Sequence, residues 1–223
     1  MAGLTTKLSN DLMELLGTAI LVFTIQVTAG LGSTGAPFAI AAIFITLVFA
    51  GGPISGAHYN PAITLAVKLR GKCSFQDLIE FWIAQVLGGF LGALLGGIMT
   101  GTFTTIGVGE GFNFTQAMLA ELIFTFVLCF VVLGVTTSNK ATDNHYYGLA
   151  IGLVLLSGNV AVGPISGGAF NPGVALGLSF ATGLNSFGYA ISVVIANLVG
   201  GILSSFFFFL VAPDQFNDYT PLA

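Results

Sequence analysis

The chain is poor in charge. Five basic and nine acidic residues among 223 make it 6% charged, where a soluble domain carries about 25%. That deficit excludes a water-soluble enzyme, and five scattered cations exclude a nucleic-acid-binding surface. Cysteine is nearly absent: Cys73 stands beside a short basic stretch and Cys129 in the middle of an apolar run, so the two do not share one side of a membrane and no disulfide framework is expected. Arginine occurs once, at Arg70. Nucleophile-and-base pairs, metal-ligand clusters and phosphate loops are missing, so neither an enzyme, a metal nor a cofactor is expected. What fills the chain is apolar: 55% hydrophobic residues and a mean hydropathy of +0.98. A spanning helix needs about 20 apolar residues, so residues 1–223 hold one membrane domain of about six spans and no second, soluble one. The 31 glycines predict close helix packing, because glycine lets backbones approach in a membrane.

Apolar runs fall at about 12–30, 36–52, 78–100, 116–136, 147–163 and 187–212, with two weaker stretches at 61–70 and 172–182 that are too short to cross. The fold expected is an all-α integral membrane protein of six transmembrane helices plus two half-helices. Lys7 is followed by Asp11 and Glu14 inside the rising hydrophobic segment, with no small-residue cleavage site, which reads as a first span and not a signal peptide. With the N-terminus cytoplasmic, Lys7, Lys68, Arg70, Lys72 and Lys140 all fall inside, as the positive-inside rule requires. Both termini are therefore expected in the cytoplasm.

The strongest signal is internal repetition. Gly52-Pro53-Ile54-Ser55-Gly56-Ala57-His58-Tyr59-Asn60-Pro61-Ala62 recurs without a gap as Gly163-Pro164-Ile165-Ser166-Gly167-Gly168-Ala169-Phe170-Asn171-Pro172-Gly173. Around it, Glu14-Leu15 with Thr18 is echoed by Glu121-Leu122 with Thr125, and Ala84-Gln85 before Gly88-Gly89 by Ala196-Asn197 before Gly200-Gly201. The repeats cover about 8–112 and 115–214. Three spans each, an odd number, send the second half into the membrane from the opposite face, which is an inverted-repeat transport architecture. Glycine and proline are expected to keep residues 52–59 and 163–170 out of regular helix. Such backbone survives at membrane depth only where it lines a wet cavity. Each stretch ends in Asn-Pro, a helix start, since asparagine caps and proline fits the first turn. Two half-helices should therefore begin at Asn60 and Asn171 and point their N-termini at each other near mid-membrane.

At these residues the sequence resembles the aquaporin family of major intrinsic proteins, over essentially the whole chain. The resemblance rests on the paired motifs Asn60-Pro61-Ala62 and Asn171-Pro172-Gly173, the glutamate repeated in each half and the Gly-Gly pairs. It implies a homotetramer in the lipid bilayer with one pore per subunit for water or small neutral solutes. Two positions depart from the family pattern: Gly173 stands where alanine is usual, and Val174 where an arginine follows. Distances from the two asparagines assign Ile40, Asn159, Gly168 and Val174 to the constriction, a set that matches neither the usual water filter nor the usual glycerol filter. Without the arginine the opening should be wider, unless Ile40 fills it, and should favour glycerol or urea alongside water.

A solute in a narrow apolar tube loses hydration, and a ladder of carbonyls from Ala57, His58, Tyr59, Gly168, Ala169 and Phe170 is expected to replace it. Asn60 and Asn171 would donate to the solute oxygen and interrupt a proton wire. Two half-helix N-termini of about +0.5 charge each, about 5 Å away, repel a monovalent cation by roughly 3 kcal/mol at an effective dielectric near 20; the cost of dehydrating an ion supplies the rest. Glu14 and Glu121 are intramembrane carboxylates, weighed as proton relays and preferred as supports that hold the carbonyls of their own half in line. His58 either contacts solute or is structural, and His145 is solvated. Phe206 to Phe209 and Trp82 read as packing or lipid-facing groups, and Asn113-Phe114-Thr115 is a glycosylation sequon beside a span. The rival functions are a non-conducting junction or scaffold protein of the same fold and a poorly selective channel that leaks ions or ammonia.

Overall fold

The computed structural model describes residues 2–141 and 143–216; residues 1, 142 and 217–223 of the expected domain lie outside the described residues. All regular structure among them is helical. Helix α1 (Ala2–Gly30), α2 (Ala36–Ser55), the half-length α3 (Pro61–Leu69) and α4 (Phe75–Thr100) make the first half. The second half is α5 (Phe114–Thr136), α6 (Tyr147–Ala161), the single turn α7 (Gly163–Ser166), the half-length α8 (Pro172–Ala181) and α9 (Phe187–Val211). Five helices, beginning at Thr6, Ala36, Phe75, Phe114 and Phe187, are long and apolar enough to cross a bilayer. At 15 residues, α6 reaches only about 22 Å, and α7 continues it in the place that α2 fills alone. The protein is a multi-pass membrane protein.

Starts and stops follow local chemistry. Ser74 and Asp77 form a capping box at α4, and Asn113 and Gln116 another at α5, so the sequon asparagine serves as a helix cap. Glycine sets the spacing between helices, because a Cβ on Gly88 would lie 2.3 Å from the Leu15 carbonyl oxygen and one on Gly92 2.1 Å from that of Ala19. These contacts lock α4 onto α1, and Gly200 against the Leu122 carbonyl at 2.7 Å locks α9 onto α5 in the same way. Two further glycines tie the halves together: Gly89 faces the Gly173 carbonyl of α8 and Gly201 the Ala62 carbonyl of α3.

The two Gly-Pro stretches differ from expectation. Residues 52–55 are the last turn of α2, with Pro53 inside it, and 163–166 form α7. Only 56–60 and 167–171 are irregular. Proline's fixed φ is compatible with a helix, and so close to the end its missing N–H costs one bond. In the second half the break falls one step earlier, at Val162 (φ −130°), and Pro164 then sits in the first turn of a new helix, where no N–H is needed. What ends both helices is a left-handed glycine, Gly56 (φ 88°) and Gly167 (φ 90°), whose N–H closes on the carbonyl of Gly52 or Gly163.

The cations gather at one end of the bundle. Lys7 pairs with Glu80 at 2.9 Å and Lys140 with Asp214 at 3.0 Å. Arg70, at the end of α3, donates to the Thr137 carbonyl at 3.2 Å and lies 4.7 Å from the centre of the Phe216 ring. Lys68 and Lys72 flank it in sequence.

Candidate functional site

Two asparagines start the half-helices and cross over. Asn60 accepts the Ala62 N–H on its Oδ1 at 2.8 Å, capping α3, and its Nδ2 donates to the Phe170 carbonyl at 2.8 Å. Asn171 accepts the Gly173 N–H at 2.8 Å, capping α8, and donates to the Tyr59 carbonyl at 2.8 Å. Each asparagine thus caps its own helix and holds the last loop carbonyl of the other half. Both side chains are buried, as are Pro61, Ala62, Pro172 and Gly173.

The loops leading to them turn their N–H groups away from this junction. Ser55 and the backbone N–H groups of His58 and Tyr59 donate to Glu14, as does the Gln85 amide, so that each carboxylate oxygen accepts two hydrogen bonds of 2.6–2.9 Å. Glu121 accepts the matching set from Ser166, Ala169, Phe170 and Asn197 at 2.7–2.9 Å. Ser55 and Ser166 in turn accept the N–H groups of Ala57 and Gly168. All three loop N–H groups of each half are satisfied on the buried side. Such a turn needs alternating backbone hands, and Ala57 (φ 53°), Tyr59 (φ 50°) and Phe170 (φ 46°) adopt the left-handed conformation that L-residues avoid, as does Gly168 (φ 63°). The two glutamates, both 0% exposed, supply the hydrogen bonds that hold this costly shape. The carbonyls of Tyr59 and Phe170, expected on the solute ladder, accept first from the opposite asparagine; a carbonyl keeps a second lone pair.

The elements bring the expected constriction residues to one place. Ile40 from α2, Asn159 from α6, Gly168 from the second loop and Val174 from α8 line one narrow cavity together with Asn60, Ala169, Phe170 and Asn171. Its room for water is about 10 Å³, close to the least that admits one molecule. Leu21, Ile25, Phe44, Leu128 and Leu155 also line it, so Ile40 and Val174 stand in a largely apolar wall. The Asn159 Nδ2 bonds back to the Leu155 carbonyl at 3.0 Å. Its Oδ1 faces Gly168, where a Cβ would come within 3.0 Å of it.

A vestibule of about 660 Å³ lies towards the cationic end, lined by Lys7, Asn10, Ser55, His58, Lys72, Cys73 and Asp77 among others. His58 is buried at its floor, its Nδ1 3.1 Å from the Thr64 hydroxyl and its ring edge-on to Phe81. Thr64 gives its own proton to the Asn60 carbonyl, so it accepts from Nδ1–H, and Nε2 is left as the acceptor. His145 is exposed. Trp82 donates to the Pro61 carbonyl at 3.0 Å, a packing group that also steadies α3.

Sequence reasoning gave no role to Ser55, Ser166, Gln85 or Asn197, although their recurrence at equivalent positions was a usable signal. It could not have found Leu21, Ile25, Phe44, Leu128 or Leu155, because apolar residues occupy every face of these helices.

Comparison with known proteins agrees with this geometry. The family model for major intrinsic proteins matches residues 5–208. Aquaporin NIP1-1 of Zea mays is 36% identical over 144 residues, 62% of this chain and 50% of that protein. Aquaporin Z of Photorhabdus laumondii is 32% identical over 182 residues, 71% of this chain and 78% of that protein. The chain thus spans half the length of the maize relative and most of the bacterial one. In three dimensions the X-ray structure of the aquaglyceroporin from Plasmodium falciparum superposes with a TM-score of 0.81 at 23% identity, over 94% of this chain and 98% of that one, and it shares the fold.

Proposed function

The chain belongs to the major intrinsic protein family, and from that membership and the passage between its half-helices we infer that it is a passive transmembrane channel for water and small uncharged solutes. The observation that carries the reading is the narrow cavity on which both capping asparagines and the four constriction residues converge. Solute enters a wide vestibule, sheds most of its water against apolar walls, and regains hydrogen bonds from loop carbonyls turned towards the cavity by Glu14 and Glu121. Asn60 and Asn171 each have one Nδ2 proton on the opposite carbonyl and a second for the solute, which orients water at the centre and breaks a proton wire. Two half-helix N-termini aimed at that centre disfavour cations. Because the room is that of about one water, water is the solute that fits best, and glycerol or urea passes only where side chains part.

The five cations gathered at one end support a cytoplasmic position for that face and for both termini. The protein assembles as a homotetramer, each subunit one pore-forming domain with repeats at about 8–112 and 115–214. Reconstitution into liposomes tests the main reading. Osmotic shrinkage faster than in protein-free vesicles is expected, and water flux at the lipid background overturns it in favour of a non-conducting junction or scaffold. Val174→Arg should lower glycerol flux more than water flux; an unchanged ratio removes residue 174 from the constriction. Salt-gradient currents in planar bilayers would reveal an ion leak.

A further inference from the structure

We propose that the segment between α4 and α5, residues 101–113, is a strap that sets the width of the constriction through α7, with Gln26 and Gly109 as its positioning residues. This deepens the channel reading above and rests on it. In the first half the turn before the irregular loop is the end of a 20-residue helix, whereas in the second half the break at Val162 leaves α7 as a separate turn of four residues. A single turn has too few bonds of its own to stay in place, and other elements hold it instead. The Gly109 N–H donates to the Ile165 carbonyl at 2.9 Å, and the Tyr189 hydroxyl donates to the Ser166 carbonyl at 2.8 Å.

The strap is pinned at its other end. Gln26 of α1, fully buried, donates from Nε2 to the Thr102 carbonyl at 2.7 Å and accepts on Oε1 from the Thr104 N–H at 3.3 Å and the Thr104 hydroxyl at 2.9 Å. Between these ties Ile106 turns inward. It joins the buried apolar cluster that holds Ala169 and Val174 of the cavity wall, and a Cβ on Gly167 would come within 3.0 Å of its own. Near the far end the backbones touch, since a Cβ on Gly109 would lie 1.8 Å from the Pro164 carbonyl oxygen, and only glycine lets the strap close so far. Contacts thus run from α1 through the strap to α7, and from there to Gly168, which faces Asn159 in the cavity. Where the room is that of about one water, a small outward displacement of α7 opens the passage to a larger solute.

The test compares glycerol and water permeability of proteoliposomes, both corrected for protein-free vesicles. Gly109→Ala forces the strap and α7 apart, and Gln26→Leu removes all three pinning bonds. Each is expected to raise the glycerol-to-water ratio about fivefold, the equivalent of roughly one hydrogen bond. Together they should give no more than the larger single effect, because both act through one strap. Gly107→Ala is the control: its Cβ meets nothing within 4 Å, and its ratio should stay that of wild type. Size-exclusion profiles verify assembly of each variant. Thr104→Val gives up only the hydroxyl bond to Gln26; it should raise the ratio about twofold, and it decides if neither stronger variant assembles. Ratios that do not rise in the assembled variants, an equal rise in Gly107→Ala, or additive effects in the double variant overturn the proposal while leaving the channel reading intact. Wild-type water flux at the lipid background would overturn both.

Discussion

Glu121 accepts two hydrogen bonds on each carboxylate oxygen, and all four come from donors. In Glu121→Gln one oxygen becomes an NH2 that confronts two of those donors, so a loss of about 3 kcal/mol in stability is expected, read as a lower melting temperature together with slower osmotic shrinkage. An unchanged melt would mean that the loop holds its left-handed turns without the carboxylate. The asparagines are expected to act twice. Asn60→Ala or Asn171→Ala removes a cap, worth about 1 kcal/mol, and the tie to the opposite loop, so melting and water flux should both fall; normal values in both variants would rule the paired role out. At this scale the sequence was informative wherever a residue recurred. The asparagines and glutamates stood out because each half carries its own copy, whereas the apolar lining of the cavity has no polar signature and needed three dimensions. Val174 shows the boundary well. Its position was readable from the motif, but whether its short side chain widens the passage depended on Ile40, Leu21 and Phe44, which arrive from other helices.

At the scale of helices, small residues act as fixed spacers, and the tolerance of each follows from what a Cβ would strike. On Gly89 it would lie 2.3 Å from the Gly173 carbonyl oxygen, where backbone meets backbone and neither can yield. On Gly173 the nearest atoms are the Asn171 Oδ1 at 3.2 Å and the Gln85 carbonyl oxygen at 3.3 Å, contacts that need a shift of only a few tenths of an ångström. Gly89→Leu and Gly200→Leu are expected to abolish assembly through overpacking, while Gly173→Ala keeps wild-type elution and flux; a size-exclusion series separates these outcomes. Helix number and the two half-length segments were legible from hydropathy because a membrane permits little else. The ends of α2 and α6 were not. Proline is compatible with a helix terminus from either side, and the sequence alone does not tell Pro53, inside the last turn of α2, from Pro164, which opens α7.

For the whole molecule, the clustering of cations predicts the side on which each loop is reached. In cells whose plasma membrane holds the protein, Asn185→Cys, between α8 and α9 at the opposite end, should react with an impermeant maleimide from outside. Asp143→Cys, between α5 and α6, should react only after permeabilisation, and the reverse pattern would invert the proposed orientation. Background is expected to be low. Cys129 is enclosed by the bundle, and burial pushes the Cys73 thiol up to about 12, leaving almost no thiolate at neutral pH. The crossed ties of the two asparagines bear on how such a chain comes to be made. The Asn60 amide reaches a carbonyl 110 residues further on, and Ala62 rests on Gly201 of the last helix. During synthesis the re-entrant segment and α3 therefore have neither of these partners in place until α9 has left the ribosome. Contacts so distant in sequence form slowly. The first three spans should insert early with their short helix held only by Glu14, Gln85 and Trp82 of the same half, and the final shape should lock in one late, cooperative step when α9 arrives.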